Sequence, residues 1–323
     1  MMNAAYHWFD RNVLELGREL RLSYLPPLMV YLAAGVSGLT AIVGTFFVKD
    51  YLNLSAEFLA ALGFWAMIPW ALKMPVGHLV DLIWRYKAAL VYLGAALIAA
   101  SLLIMLGLLA RPEAMGALMP VPAWYVLSVL LAPTGYVVQD VVADAMTVEA
   151  VPTLDGEGKP FAPEAKRLMH TTMQTLGRVA IIGGGVFVAL LNVFLFHGVD
   201  AMDEAQKLAT YIRIYEFALL IPVASISGVI LGGMLKRREL KRLRTHGYDD
   251  AAAQELVHGR AELTTPNWWI LGGSLVFVVF TLVMGLGDVP YNEEIVFLGS
   301  MTIVVFLISR LMGALDPEAQ RVL

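Results

Sequence analysis

The chain has 323 residues, of which 59% are hydrophobic and only 15% carry a charged side chain. A soluble domain has about 25% charged residues, so this composition is atypical of a soluble domain and indicates a lipid environment. The formal net charge of −4 says little about partners, because the charges are unevenly placed. The chain contains no cysteine, which excludes disulfides and any metal or redox site built on cysteine.

Residues 1–24 predict a cytoplasmic amphipathic helix before the first apolar stretch. Charged residues alternate there with large apolar ones at three- and four-residue steps, a pattern typical of a helix lying in the bilayer interface. A merely solvated helix is the alternative. The segment lacks the basic and then apolar pattern of a secretory signal. The apolar positions are Trp8, Phe9, Val13, Leu16 and Leu20.

Eight apolar stretches follow that are long enough to cross a membrane. A bilayer core of about 30 Å needs about 20 apolar residues in a helix. The sequence therefore predicts an all-α, polytopic membrane protein. Three consecutive glycines, Gly183–Gly185, fall in the fifth span and predict the close approach of another helix. The predicted spans are 25–48, 57–82, 88–110, 121–146, 168–196, 208–235, 267–288 and 293–315.

The placement of lysine and arginine predicts that both termini are cytoplasmic. Cytoplasmic loops of membrane proteins are enriched in these residues, and the predicted inner loops hold most of them here. The polar loop 236–266 begins with the basic run "KRRELKRLR", which favours an anchor at anionic lipid over a nucleic-acid site. This loop separates a six-helix bundle, 25–235, from two further helices and a short tail, 267–323. The default location is a bacterial inner membrane or a compartment derived from it.

Among the charged residues inside predicted spans, Lys73, Asp140, Asp144 and Arg178 fall near the middle or in the cytoplasmic half of their spans. A charge at the bilayer centre costs about 2.5 to 3.5 kcal/mol on insertion scales. Two acids and two bases at comparable depth neutralise one another if their spans pack together. Asp140 and Asp144 are four residues apart, which places them on one helix face. This pattern predicts a paired polar interior.

Gln139 and Gln174 fall near the same depth and add hydrogen-bonding groups. The cluster therefore predicts a path for a polar solute, and its carboxylates are candidates for holding and releasing a proton. Asp140 is the better proton candidate, because it lies deeper in its span than Asp144. The alternative is an ion-pair staple that only joins helices.

Arg213 and Glu216 flank the outer edge of the sixth span. An interfacial salt bridge is the favoured interpretation, and an outer gate is the alternative. The six histidines show no metal-ligand spacing, and no serine or histidine constellation indicates hydrolysis. The sequence therefore predicts neither an enzyme nor a bound cofactor or metal.

The segment "GHLVDLIWRYK" resembles the loop motif of the major facilitator superfamily. It supplies Gly77, Asp81, Arg85 and Lys87 but lacks the motif's central arginine and glycine. Residues 46–81, which contain "IPWALKMP", and the segment "QDVVADAMTVEA" resemble the folate–biopterin transporter family within that superfamily.

The resemblance covers about residues 20 to 236 and implies an N-terminal six-helix bundle of the superfamily type. Lys73, Asp140 and Asp144 match the family pattern, and Arg178 matches a basic residue of its fifth helix. Met74 stands where the family's core proline is usual. The family implies a proton-linked carrier of pteridine-like or other organic solutes, anionic ones included.

Members of the superfamily have two six-helix halves, and nothing after the sixth span resembles a second half. In the superfamily, the loop aspartate, here Asp81, works against that other half. The expected partners are therefore the lipid bilayer, a small solute, and a second transporter half or another membrane protein, but not nucleic acid. The alternative function is a non-transporting scaffold or assembly factor that keeps the fold.

Overall fold

The computed structural model describes residue 17 and residues 20–47, 54–155, 159–258, 265–286 and 290–314. Within these ranges the chain is all-helical, as predicted, and the pairing outside helices is an isolated bridge between Leu154 and Pro160. Most of the predicted amphipathic segment 1–24 lies outside the described residues.

Thirteen α-helices are described, and short 3-10 turns adjoin some of them. The helices are α1 (Leu25–Gly35), α2 (Ala41–Phe47), α3 (Ala56–Ala71), α4 (Lys73–Leu82), α5 (Lys87–Ala110), α6 (Pro112–Leu118), α7 (Val121–Ala150), α8 (Pro163–Leu195), α9 (Glu204–Ala218), α10 (Leu220–Thr245), α11 (Asp250–His258), α12 (Trp268–Leu286) and α13 (Asn292–Ala314).

Six helical stretches of the described residues are long and apolar enough to cross a membrane, and they match the first six predicted spans. These apolar stretches indicate an integral membrane protein. The last two predicted spans correspond to α12 and α13, which are not among the six, so the predicted total of eight is not confirmed. The six are Leu22–Phe47, Ala56–Leu82, Lys87–Ala110, Val121–Ala150, Pro163–Leu195 and Glu204–Thr245.

Helix starts follow from local sequence. Proline occupies the first or second position of α1, α6, α7 and α8, where its missing N–H is not needed and its fixed φ favours the helix. At α9, Asp203 accepts a hydrogen bond from the Gln206 backbone at 2.7 Å, and the Gln206 side chain accepts one from the Asp203 backbone. This reciprocal capping box satisfies two donors at the helix end.

The chain divides into two compact units. The first contains residues 1–70 and 85–261, and the second contains residues 71–84 and 262–323. The predicted domains placed the whole second span in the six-helix bundle, whereas α4 groups with the second unit. The second span is interrupted by Pro69 inside α3 and by a break at Leu72, and proline inside a helix removes a backbone hydrogen bond.

Close helix packing in the first unit depends on small residues. A side chain on Gly135 of α7 would lie 2.6 Å from the Gly94 backbone oxygen of α5, so only glycine lets α5 and α7 pack this tightly. A side chain on Gly184 of α8 would lie 2.9 Å from the Gly35 backbone of α1. The predicted close approach at the triple glycine is thereby confirmed for Gly184, while Gly183 faces open space.

The second unit is built from α4, α12 and α13. Asn267 caps α12, because its Oδ1 accepts a hydrogen bond from the Trp269 backbone at 3.1 Å. The Asn267 backbone N–H donates to Nε2 of His78 in α4 at 2.8 Å. The Arg310 guanidinium of α13 lies 5.0 Å from the centre of the Trp269 ring, a cation–π distance.

Candidate functional site

Asp140 and Asp144 lie one helical turn apart on α7, in the interior of the first unit. Asp140 is buried, with 6% of its surface exposed, and Asp144 is half-buried. Their spacing puts both on one face of α7, as predicted. The polar interior therefore contains two carboxylates on a single helix, between apolar core residues such as Val142 and Ala143, which are both fully buried.

Tyr31 connects this helix face to α1. Its hydroxyl donates a hydrogen bond of 2.5 Å to Oδ1 of Asp144, and the tyrosine is itself 5% exposed. A hydrogen bond to a carboxylate is short and about twice as strong as one between neutral groups. Asp140 and Arg178 both lie close enough to Tyr31 to act on it electrostatically. Tyr31 is thus the centre of a three-helix cluster formed by α1, α7 and α8.

Thr147 joins Gln174 of α8 to the same cluster. The Thr147 hydroxyl donates to the Asp144 backbone oxygen at 2.6 Å, and Nε2 of Gln174 donates to the Thr147 hydroxyl at 3.4 Å. Gln174 and Arg178 are both exposed on α8, one turn apart. We call Tyr31, Asp140, Asp144, Arg178 and Gln174 the tyrosine–acid cluster.

Sequence reasoning named four members of the tyrosine–acid cluster and missed the tyrosine. Tyr31 stands in "PPLMVYLAAG" among apolar residues, where one tyrosine reads as ordinary core. A signal was present, because Tyr31 is a hydrogen-bonding side chain deep in the first predicted span, and a buried tyrosine hydroxyl usually finds a partner.

Gln139 faces a different side of α7, because adjacent residues point about 100° apart around a helix. Its Nε2 donates to the Val91 backbone oxygen of α5 at 3.1 Å. Its Oε1 accepts a hydrogen bond from the Ser225 hydroxyl of α10 at 2.9 Å. With 1% of its surface exposed, Gln139 joins three helices, and both ends of its amide already have protein partners.

A second charged group lies at the C-terminal end of α7. The Glu149 side chain, 5% exposed, accepts hydrogen bonds from Lys87 of α5 at 2.5 Å and from Lys236 of α10 at 2.6 Å. The Lys87 side chain is 8% exposed and that of Lys236 is 30% exposed. We call these residues the lysine–glutamate triad. The sequence assigned both lysines to solvated inner segments, so the triad was missed.

Four further residues of the predicted site lie in α4 or in the turn that follows it. Lys73 and Gly77 are half-buried in α4 of the second unit, and Asp81 is exposed there. Arg85 begins the longer segment of the first unit, and its side chain lies outside the described ones. The roles predicted for these four residues stay predictions.

The prediction of a salt bridge at the outer edge of the sixth span is wrong. Arg213 and Glu216 are both exposed on α9, and no ion pair joins these two described residues. They are three positions apart on a helix surface, where side chains of this length gain little by pairing. Their alternative role as an outer gate stays a prediction.

A cavity of about 590 Å³ lies within the first unit. Its wall comes from α2 and the 3-10 turn before it, from the start of α3, and from α5, α7 and α9. Three tyrosines contribute to it: Tyr125 and Tyr136 of α7 and Tyr215 of α9. The wall also includes Ser101 and Ser128, whose hydroxyl oxygens are 3.0 Å apart.

Comparison of the chain with family models, with curated proteins and with solved structures found no match. Within the described ranges, no three histidine, aspartate or glutamate side chains gather into a group that would hold a metal ion. The interpretation of the tyrosine–acid cluster therefore depends on its own geometry and on the motifs of the sequence.

Proposed function

We propose that the protein is a proton-linked secondary transporter for a small organic solute, of the major facilitator type and similar to the folate–biopterin carriers. The observation that carries this proposal is the bond between Tyr31 and Asp144 in the interior of apolar helices, with Asp140 buried one turn away. Ionisable residues inside membrane helices are costly, and where they occur they mark proton relays and solute pathways.

The chemistry of the tyrosine suits a site that changes its protonation. A phenol hydroxyl donates to a carboxylate and accepts from a protonated carboxyl group. The contact between Tyr31 and Asp144 therefore persists, with donor and acceptor exchanged, when Asp144 gains a proton. A carboxylate that bonds to ammonium groups has no such freedom, since an ammonium only donates.

Arg178 supplies positive charge at the edge of this cluster. Its side chain is exposed on α8 while its charge acts on Tyr31. In the proposed cycle, Arg178 attracts the carboxylates until protons and solute arrive, and it exchanges partners as they leave. Lys73, in α4, is proposed as a further residue of the solute path.

The proposed setting follows from the sequence pattern. The protein is placed in a bacterial inner membrane, or a compartment derived from it, with cytoplasmic termini. Because two six-helix halves enclose the solute in the superfamily that the sequence resembles, the proposed carrier acts together with a second half. Asp81 in the loop motif is proposed to contact that half.

Reconstitution into liposomes that contain a pH-sensitive dye tests the proposal. Organic solutes, anionic, uncharged and pteridine-like, are added outside one at a time. We expect at least one solute to acidify the interior, and Asp140→Asn and Asp144→Asn to slow this acidification by about tenfold or more. Glu113→Gln removes an exposed carboxylate of α6 and serves as the control that retains it.

Two results would contradict the proposal. One is solute-driven acidification that is equally fast in Asp144→Asn and in the unmodified protein. The other is solute entry, measured with a radiolabelled compound, that neither moves protons nor responds to an imposed pH gradient.

A further inference from the structure

The cavity bounded by Tyr125, Tyr136 and Tyr215, which we call the tyrosine cavity, is distinct from the tyrosine–acid cluster. Every side chain that contributes to its wall is uncharged, among the residues that the structure describes. Its volume of about 590 Å³ falls within the range of about 300 to 1,000 Å³ typical of small-molecule sites. The space is therefore large enough for a solute and has no fixed charge on its described wall.

Two tyrosine hydroxyls on this wall are open to a ligand. Neither the Tyr125 nor the Tyr136 hydroxyl makes a hydrogen bond to another described residue, and Tyr136 is half-buried. Neither belongs to the enclosed side-chain atoms without a partner, which in the described part of the chain are found in Asn192 and Thr281. Both hydroxyls are therefore accessible from the cavity and can hydrogen-bond to a ligand there.

Most of the other hydroxyls of the wall already have partners in the protein. Ser101 and Ser128 each donate to the other's backbone oxygen, at 2.8 and 3.1 Å, and so join α5 to α7. Tyr215 hydrogen-bonds to the Thr40 side chain, and Thr45 donates to the Ala41 backbone oxygen of its own helix. Besides Ser37, the hydroxyls left for a ligand among the described residues are those of Tyr125 and Tyr136.

We propose that the tyrosine cavity binds an uncharged, elongated solute with an apolar body and a hydrogen-bonding group towards each end, which meet Tyr125 and Tyr136, about 16 Å apart along α7. An anion in this space would lose its hydration without gaining a cation from the described wall, and a buried unpaired charge is strongly unfavourable. An apolar body packs against the aliphatic side chains of the wall, such as Ile98 and Leu102.

The position of the cavity on α7 relates solute binding to the proposed proton site. Tyr136 and Asp140 are four residues apart on α7, on one helix face and about 6 Å apart along the axis. The solute site and the acids therefore follow one another along a single helix. The inference rests on the proposed function, and it assigns the solute to the tyrosine cavity and the proton to the tyrosine–acid cluster.

The natural chain has no cysteine, so one introduced cysteine reports on the cavity alone. Ala132→Cys places a thiol on the cavity wall, and Ala114→Cys places one at an exposed position of α6 as the matched control. The purified protein is treated with uncharged methyl methanethiosulfonate or with its anionic sulfonatoethyl analogue. Intact mass then measures labelling.

We expect the ratio of uncharged to anionic labelling rates to be at least about tenfold larger for A132C than for A114C, because the anion must shed its hydration to enter. Comparing the two ratios removes any difference in thiol reactivity. If A132C does not fold, Val129→Cys places a thiol at another half-buried position of the same wall. Equal ratios at the cavity and control positions would overturn the proposal.

Protection by a probe tests the two hydroxyls. 2-Naphthol, uncharged near neutral pH, is expected to slow labelling of A132C, and 2-naphthoate is not. Adding Tyr125→Phe and Tyr136→Phe should raise the protecting concentration of 2-naphthol about tenfold, since its one hydroxyl then finds no tyrosine hydroxyl at either end of the cavity. Tyr92→Phe, at an exposed position, should leave it unchanged.

The outcomes separate this inference from the proposed function. Protection by 2-naphthol that is the same in the double phenylalanine variant would show partitioning into detergent and overturn the cavity site. Equal protection by 2-naphthoate would overturn the selectivity against anions. Labelling as expected without any solute-driven acidification would refute the transporter and leave the uncharged cavity standing.

Discussion

The lysine–glutamate triad and the tyrosine–acid cluster lie on the same helix and hold their carboxylates in opposite ways. Each oxygen of Glu149 bonds to a different ammonium group, whereas Oδ1 of Asp144 bonds to a phenol. Ammonium groups only donate hydrogen bonds, while a hydroxyl donates and accepts. The triad therefore requires an ionised glutamate, and the cluster accommodates either state of its aspartate.

This difference distinguishes the buried charge that has a structural role from the buried charges that have the proposed role in proton movement. In the triad, Glu149 joins the ends of α5, α7 and α10, so its charge stabilises the helix arrangement. In the cluster, the acids sit deeper in α7 beside Tyr31, on which the exposed Arg178 side chain also acts electrostatically. We expect loss of a triad charge to cost stability, and loss of a cluster group to cost proton movement.

The largest expected effect on stability is that of Glu149→Gln. It leaves two lysines facing an uncharged amide, and removing one partner of a buried ion pair costs about 3 to 5 kcal/mol. We expect a clearly lower Tm in detergent, followed by tryptophan fluorescence. Glu239→Gln removes a carboxylate 43% exposed that pairs with Arg242 on the helix surface and is the control. Matching Tm values for the two variants would show that the triad is not structural.

Comparing the two lysines sharpens this prediction. Lys87 is 8% exposed and Lys236 is 30% exposed, so solvent compensates less at Lys87. We expect Lys87→Met to reduce the free energy of unfolding by about 2 to 3 kcal/mol and Lys236→Met by about 1 kcal/mol. The measurement is denaturant unfolding of both variants under one condition. A reversed order would mean that burial does not govern the strength of the pairs.

Tyr31→Phe should separate stability from function. It removes one hydrogen bond in the bundle interior, which costs about 1 kcal/mol of stability. Solute-driven acidification of liposomes should slow about tenfold, because Asp144 loses its charge-assisted donor. Tyr92→Phe provides the control, at an exposed tyrosine of α5. Unaltered acidification in Tyr31→Phe would remove the tyrosine from the proton path.

Arg178→Ala is expected to have the smallest effect on stability. The side chain is exposed, and surface substitutions usually change the free energy of unfolding by less than about 0.5 kcal/mol. Membrane insertion and Tm should therefore be retained while uptake is lost. The checks are the folded yield after extraction and the uptake rate in liposomes. Normal uptake in this variant would refute the role proposed for Arg178.

The sequence predicted the helical class and the shared face of Asp140 and Asp144, because apolar length and a four-residue step are local properties. It also placed Gln174 and Arg178 at a depth comparable with that of these acids. It did not predict Tyr31, since only tertiary packing brings the first span against the fourth. For the same reason it did not predict the ion pairs of Glu149, and it assigned Lys87 to a loop.

The depth of Gln139 in its span did not predict which residues its side chain contacts. Gln139 shares the level of Asp140, but one residue along a helix turns a side chain by about 100°, and its amide bonds to Val91 and Ser225 instead. The division of the second span was also beyond the sequence pattern. Pro69 was visible there, but proline is tolerated inside membrane helices, so the grouping of α4 with α12 required the structure.

Proton movement in reconstituted liposomes tests the central claim most directly, because it follows the proton itself. A solute that acidifies the interior through the unmodified protein should no longer do so through the Asp140→Asn/Asp144→Asn double variant. Acidification should remain in Glu113→Gln, which changes an exposed carboxylate. Unchanged acidification in the double variant would show that these aspartates do not carry the proton and would contradict the account.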